Sequence, residues 1–297
     1  MMCQPRKQFS IRRYLQQKNP VSRWAKSLDG GGNLWYNNAE RSIESEKTMP
    51  DLEPFDTIQR RIITSEHERC GIGTLGERTL HVILKHFYEP DTALHEQKVG
   101  RYVADIRRDG EIVEIQTRGF RALRAKLTAF TPEYRVKVVY PIAAVKHLTW
   151  LNPETGELSN RRKSPKRGSV YDFLYELYAL RPILPLDGVS FDLVFLDMDE
   201  FKTLTGWGKD KKHGAPRYER IPTALREIVT LETPADFMRL VPESLPETFT
   251  TAEFSKAAKL SYTVAGYGVR TLVTLGVIEP TDKRKNAIIY KRKDLNQ

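Results

Sequence analysis

Two carboxylates and an amide fall close together in the segment 102–117. The segment consists of two short strand-like runs joined by Asp109-Gly110, a dipeptide typical of tight β-hairpin turns. Period-two alternation places Glu114 and Gln116 on one face of the second strand, while Asp105 lies near the end of the first. The pattern therefore predicts that these three side chains converge beside one sheet edge.

Asp105 and Glu114 are the residues that could hold a metal ion at such a site. Mg²⁺ prefers oxygen ligands and usually takes one or two carboxylates, with waters and substrate phosphates completing its shell. A bound metal lowers the pKa of a coordinated water and offsets negative charge at a phosphate under attack. The alternative is an ordinary half-exposed hairpin, in which Val103, Val113 and Ile115 face the core and the polar residues face water.

The chain is basic, with 48 Lys and Arg residues against 38 Asp and Glu and a net charge of +10 over 297 residues. This excess favours an anionic partner, and nucleic acid first, because neutralising phosphates releases counterions. Cys3 and Cys70 are too few for a disulfide framework or a cysteine zinc site. No segment approaches the roughly 20 apolar residues of a membrane span, and the N-terminus lacks the apolar core of a secretory signal. We therefore expect a cytoplasmic protein without a membrane partner.

Residues 1–48 are basic, polar and interrupted by glycine, which predicts a largely disordered arm. Apolar spacing then predicts an alternation of helices and strands. The first elements are a helix from about Gly76 to Tyr88, strands near 94–99, 101–107 and 111–117, a helix from Gly119 to about Thr131 and a strand at Arg135–Pro141. The later ones are a hairpin around the turn 152–156, a helix at Tyr171–Leu180, a strand at Phe191–Met198 and a helix at Ile221–Leu231.

The order helix, three strands, helix, strand over residues 70–145 resembles the core of the PD-(D/E)XK nuclease superfamily. The resemblance rests on Glu77 on the first helix, Asp105 on the second strand and Glu114-Ile115-Gln116 on the third. It implies an α/β (α+β) fold with a restriction-endonuclease-like αβββαβ core, within a nuclease-like domain at residues 49–240. It also implies phosphodiester hydrolysis with Mg²⁺ (or Mn²⁺) held by Asp105, Glu114 and the backbone carbonyl of Ile115. Glu77 would hold an outer-shell water or a second ion.

Gln116 departs from the motif, because the superfamily usually has lysine at this position. That lysine positions the attacking water and stabilises negative charge, whereas glutamine can hydrogen-bond a water but carries no charge. Some restriction endonucleases of the superfamily carry glutamine here and remain active. Arg118 is a nearby cation. The departure leaves open whether the fold still cuts.

The last segment, residues 246–297, resembles a winged helix-turn-helix domain. A capping box at 250–253 precedes one helix, Ser261 can cap a second helix from Tyr262 to about Leu275, and the turn 281–286 precedes a strand at Ala287–Arg292. The resemblance implies that the second helix enters the major groove of DNA and that the hairpin contacts the backbone. The residues concerned are Tyr262, Thr263, Tyr267 and Arg270 on the helix, and Lys283, Arg284 and Lys285 at the wing tip. The alternative is a protein–protein module.

Other polar residues have weaker claims to a function. Arg161, Arg162, Lys163, Lys166 and Arg167 form a basic loop that suits backbone phosphates or, equally, a solvated charge run. His81 shares a helical face with Glu77, but a core or surface histidine is the favoured interpretation. Asp197 and Asp199 share a strand face and could bind an ion, although solvation at a strand end explains them equally well.

These features predict a metal-dependent DNA endonuclease-like protein, a magnesium-dependent deoxyribonuclease that holds duplex DNA through its winged helix and basic loops. One alternative is a non-catalytic, regulatory DNA-binding protein on a degenerate nuclease scaffold. Another is an interaction module for an acidic protein. The sequence leaves open the choice of DNA or RNA, the specificity, the pathway and the oligomeric state. A homodimer would supply the two sites needed to cut both strands at once.

Overall fold

The computed structural model describes residues 54–65, 79–152, 154–203 and 217–294. The predicted N-terminal arm and Glu77 lie outside these ranges. The described residues divide into two compact units: one contains residues 54–65, 79–147, 163–200 and 219–294, and the other contains residues 148–152, 154–162, 201–203 and 217–218. None of the helices in the described ranges combines the length and apolar character needed to cross a bilayer.

Helices and strands alternate through most of the described chain, giving a mixed α/β protein. The helices are α1 (Phe55–Ser65), α2 (Thr79–Tyr88), α3 (Phe120–Phe130), α4 (Phe173–Leu180), α5 (Pro234–Phe237), α6 (Thr251–Ala257) and α7 (Tyr262–Thr274). The strands are β1 (His95–Val99), β2 (Tyr102–Arg108), β3 (Glu111–Ile115), β4 (Arg135–Leu151), β5 (Arg162–Lys163), β6 (Val189–Thr203), β7 (Arg217–Leu231), β8 (Thr248–Thr250), β9 (Ile278–Arg284) and β10 (Ala287–Arg292).

The larger sheet has the strand order β1-β2-β3-β4-β6-β7, with β5 paired to β4. Strands β1, β2 and β3 form an antiparallel meander, whereas β3 and β4 are parallel, as a crossover through α3 requires. The hairpin turn between β2 and β3 has Gly110 at φ 70°, which is the left-handed region that the predicted Asp-Gly turn needs. The predicted order of helix, three strands, helix and strand is present from α2 to β4.

Both faces of this sheet are covered by apolar side chains. Ile112 belongs to one buried cluster, with α3 and α4, while its neighbour Val113 belongs to another, with α1 and α2. Adjacent strand residues point to opposite faces, so the sheet lies between two helical layers. The hairpin therefore has no solvated face at Ile112 and Val113. The alternative prediction, in which the polar residues of the hairpin face water, is wrong for Glu114, whose exposed fraction is 2%.

The predicted helix at Ile221–Leu231 is wrong, because this segment lies within strand β7. At its end Val229 and Leu231 are buried on either side of the exposed Thr230, which is the period of a strand rather than a helix. Strand β4 is also longer than the predicted Arg135–Pro141, since it continues to Leu151. Sheet pairing outweighs local helix-forming composition in β7.

The smaller unit contains the predicted second hairpin. Leu151 bridges to Leu158 in antiparallel fashion, and the Asn152 amide donates to the Glu157 carbonyl at 2.9 Å. The guanidinium of Arg162 lies 4.9 Å from the centre of the Trp150 ring. The hairpin prediction is confirmed.

The C-terminal residues form two helices and a three-stranded sheet of order β8-β10-β9. The capping box is confirmed, since the Thr250 amide donates to Glu253 at 2.6 Å and the Glu253 amide donates to Thr250 Oγ1 at 3.3 Å. Ser261 caps α7 through the Val264 amide. Strand β9 extends through most of the predicted turn, and the chain reverses at Lys285, whose φ is 56°.

Candidate active site

The two carboxylates of the hairpin meet where β2 and β3 stop pairing. The antiparallel register ends with Ile106 opposite Val113. Beyond it, the Ile115 amide donates to Asp105 Oδ2 at 2.7 Å, and the Asp105 amide donates in return to the Glu114 carboxylate. The side chains thus replace the ladder bonds that the diverging strands leave unmade. This exchange holds Asp105 and Glu114 together.

Glu114 is paired with a lysine from the following helix. Lys126 Nζ, on α3, lies 2.8 Å from Glu114 Oε2 and 3.1 Å from Oε1. Burial raises the pKa of Glu114 to about 7, and the negative charge of Asp105 adds to the rise, while Lys126 opposes it. The carboxyl therefore titrates near neutral pH even beside an ammonium group.

Asp105 has the opposite electrostatic balance. Burial favours the neutral form of Asp105. This effect is outweighed by the hydrogen bond and charge of His81, by the Ile115 amide and by the charge of Lys126. Together these groups hold the pKa of Asp105 below its usual range. His81 Nε2, on α2, lies 3.2 Å from Asp105 Oδ2. The pair thus consists of a carboxylate that stays ionised and a second carboxyl that gains or loses a proton near pH 7.

A carboxylate from another helix holds the start of α3. Glu176, on α4, accepts hydrogen bonds from the amides of Gly119 at 2.9 Å and Phe120 at 3.1 Å. Gly119 precedes the helix at φ 76° and has no side chain with which to cap it. Glu176 therefore satisfies N-terminal amides of the helix that carries Lys126.

Replacing Glu176 by alanine is expected to lower the free energy of unfolding by about 1–2 kcal/mol, because the amides of Gly119 and of buried Phe120 lose their acceptor. Urea unfolding monitored by circular dichroism measures this loss. Glu176→Gln keeps an acceptor oxygen and should lose less. An alanine variant with an unchanged urea midpoint would show that the cap is not needed.

The other residues of the predicted site have varied positions. Ile115 lies at the end of β3 and uses its amide to hold Asp105, while its carbonyl is the predicted third ligand. Gln116 donates its side-chain amide to the Arg118 carbonyl at 2.5 Å, so its amide group is directed along the loop after β3. Glu77 lies outside the described residues.

Lys126 is the residue that sequence reasoning missed. It directly precedes Leu127 and follows Leu123 by three positions, and both leucines are buried against the sheet. A lysine at the border of an apolar helical stripe is the signal that could have identified it. The pairing of Lys126 with Glu114 could not have been predicted in this way, because Glu114 lies twelve residues earlier, in a strand of the sheet.

The residues predicted to bind nucleic acid lie mainly at the surface. Arg161 is partly buried, Arg162 and Lys163 form β5, and Lys166 and Arg167 are exposed. On α7, Tyr262 and Thr263 are exposed, whereas Tyr267 is half-buried against α4. Lys283, Arg284 and Lys285 are exposed at the β9–β10 turn, with Arg284 3.8 Å from Glu253.

The aspartates of β6 have protein partners. Buried Asp192 accepts from the Tyr88 hydroxyl at 2.9 Å and from Thr230 Oγ1 at 2.7 Å, and burial together with this carboxylate raises the pKa of Tyr88. Asp197 pairs with Arg226, and Asp199 lies 3.9 Å from His147. These contacts join β6 to its neighbours and account for the aspartates structurally.

The donor set at Asp105 and Glu114 suits a hard divalent cation in kind. Among the residues that the structure describes, no group of three or more His, Cys, Asp and Glu side chains could hold a metal. Two adjacent carboxylates nevertheless match the number that Mg²⁺ commonly takes from a protein. Burial, and after it the negative charge of Asp105, raise the pKa of Glu114, and a cation held between the two carboxylates would oppose both effects.

The geometry defines a mixed α/β protein in which buried Glu114 and partly buried Asp105 form a carboxylate pair beside a lysine. Residues 78–232, more than half of the chain, match the family described as Domain of unknown function (DUF8091), and the chain belongs to this family. An uncharacterized protein of Treponema pallidum (strain Nichols) is 28% identical over 226 residues, which cover 74% of this chain and 87% of that protein. No solved structure matches the chain. The family segment includes the carboxylate pair and Lys126 and ends before the C-terminal helices.

Proposed function

We propose that the protein is a metal-dependent nuclease that hydrolyses phosphodiester bonds in DNA. The observation that supports this most is the pairing of partly buried Asp105 with buried Glu114 and Lys126 at the point where β2 and β3 diverge. Burying two carboxylates costs stability, and the hairpin would fold with apolar residues in their place. A functional requirement explains why acidic side chains occupy these positions.

In the proposed reaction, Asp105 and Glu114 would hold the metal ion, with the Ile115 carbonyl as the third protein ligand. The metal, when bound, lowers the pKa of a water and offsets charge on the scissile phosphate. Lys126 supplies the cation that Gln116 lacks, orienting the attacking water and stabilising negative charge as it develops. Asp105 is ionised at neutral pH, because its pKa is lowered.

The topology supports the finer fold assignment within this proposal. An antiparallel meander of three strands followed by a helix and a parallel fourth strand is the order expected of an αβββαβ restriction-endonuclease-like core. The C-terminal helices with the β9–β10 hairpin have the order of a winged helix domain, and its basic tip would contact the DNA backbone. The net charge of +10 supports a nucleic acid substrate.

The proposal is tested with supercoiled plasmid incubated with the full chain and Mg²⁺ or Mn²⁺. The parent protein is expected to nick the plasmid, and Asp105→Asn is expected to abolish nicking, because asparagine keeps an acceptor for the Ile115 amide but loses the charge. Asp109→Asn is the matched control, since it makes the same change at the exposed turn of the same hairpin and preserves the turn. Equal nicking by the parent and Asp105→Asn would refute the assignment.

A second candidate is a non-catalytic DNA-binding protein on the same scaffold. Two contacts favour it: Lys126 already covers both oxygens of Glu114, and the Gln116 amide is directed to the Arg118 carbonyl. This protein would retain duplex DNA in a salt-dependent manner and cleave none of the substrates. Any Mg²⁺ or Mn²⁺ binding by this protein would be unchanged in the Asp105→Asn variant.

A further inference from the structure

Helix α7, the predicted recognition helix, packs closely on α4. A Cβ atom built on Gly268 would lie 2.9 Å from Leu174 Cδ1, closer than real side chains approach. Gly268 therefore allows the two helices to touch at this point. Arg181 Nε donates to Thr274 Oγ1 at 3.2 Å further along the same contact.

The contact continues outward as a group of tyrosine rings. Tyr267 of α7 and Tyr178 of α4 are stacked, with ring centres 4.2 Å apart and planes 11° apart. Tyr175, one turn earlier on α4, lies 6.3 Å from the Tyr267 ring. The Arg270 guanidinium lies 5.6 Å from the centres of both the Tyr178 and Tyr267 rings. We call Tyr175, Tyr178, Tyr267 and Arg270 the tyrosine cluster.

Tyr175 is the solvent-facing ring of the tyrosine cluster, with an exposed fraction of 56%. Among the residues described, five large hydrophobic side chains are exposed, and Tyr175 and Tyr262 are the two most exposed of them. Besides the exposed Arg270 of the cluster itself, two arginines contact the same pair of helices: the exposed Arg181 bonds Thr274, and Arg124 of α3 donates to the Ala179 carbonyl of α4. An exposed ring on a rigid aromatic base among arginines suits an aromatic anion.

We propose that the tyrosine cluster binds unpaired nucleotides of a single strand, with a base stacked on Tyr175 and the flanking arginines contacting phosphates. Single-stranded nucleic acids are bound in this way in general, since every base has a π-face and every linkage a negative charge. Tyr267 is stacked on Tyr178 of α4 and Arg270 lies over both rings, so these residues act as part of a stacking platform rather than as side chains that enter a major groove. This inference rests on the proposed function only in taking nucleic acid as the substrate.

The inference is tested by fluorescence anisotropy with a labelled thymidine oligonucleotide and a duplex of equal length. The full chain carries Asp105→Asn and EDTA is present, so no step depends on cleavage. Tyr175→Ala is expected to weaken binding to the single strand roughly tenfold, the loss typical of one stacked base, and to change duplex binding little. Tyr175→Phe keeps the ring and should bind the single strand as tightly as the protein that retains Tyr175.

Unchanged affinity of Tyr175→Ala for the single strand would overturn the inference, as would equal losses on single strand and duplex. Because Tyr175 is exposed, its alanine variant is expected to keep the parent's unfolding temperature, which circular dichroism checks. Tyr175→Glu is a second variant, expected to lose single-strand binding through repulsion of phosphates. A plasmid that is never nicked, combined with a Tyr175 effect on binding, would refute the nuclease proposal and leave this inference standing.

Discussion

Replacing Lys126 by methionine is expected to reduce metal-dependent nicking of plasmid DNA by about 100-fold or more, the usual cost of removing one group that stabilises transition-state charge. Lys126 Nζ lies within 3.1 Å of both oxygens of Glu114, so its charge is placed directly at a proposed metal-binding carboxylate. Methionine is close in length and apolar bulk but carries no charge. Nicking rates at saturating Mg²⁺ measure the effect.

Three further variants separate this role from general effects. Lys126→Arg keeps the positive charge and is expected to retain much more activity than the methionine variant. Arg121→Met is the matched control, because it removes an exposed cation from the same helix and should nick at the parent's rate. Gln116→Ala is expected to have a small effect, since its amide group bonds the Arg118 carbonyl. A Lys126→Met protein that is folded and fully active would remove Lys126 from the mechanism.

The stability of the protein is expected to fall as the pH rises from about 4.5 to about 7, because of Glu114. The pKa of this group is about 7 in the folded protein against an ordinary value of 4.5, so between these values the folded state holds a proton that the unfolded chain has lost. Raising the pH through this window therefore favours the unfolded chain. The loss is of the order of 3 kcal/mol, since each pKa unit corresponds to about 1.4 kcal/mol.

Urea unfolding from pH 4.5 to 8 in EDTA measures this dependence. Glu114→Gln has no group to titrate and is expected to remove most of the slope in this window. Glu111→Gln, at the partly exposed start of the same strand, is the matched control and should keep the slope. Asp105 acts in a different range, because its lowered pKa contributes stability that is lost only as the pH falls below its ordinary value of 3.8. The raised pKa of Glu114 would be contradicted if the stability of the parent protein did not fall over this pH range, or if Glu114→Gln kept the parent's slope.

Local patterns were sufficient for the elements that build the site. The Asp-Gly turn, the alternation in β3 and the apolar stripe of α3 are short-range features, and each appears near its predicted position. The capping box at Thr250 and Glu253 is equally local and is formed. In contrast, the sequence predicts a helix where β7 lies, because the apolar spacing of this segment is ambiguous and its pairing with β6 decides the structure.

Residues 102–117 thus specify from local sequence a hairpin that carries two carboxylates on neighbouring strands. Local sequence could not show that both faces of the hairpin are buried, because the covering helices come from distant segments. Nor could it pair Lys126 with Glu114 or place Glu176 at the start of α3, since these contacts join residues 12 and at least 56 positions apart. Burial and long-range pairing set the pKa of Glu114 near 7, and both arise only when the chain is packed.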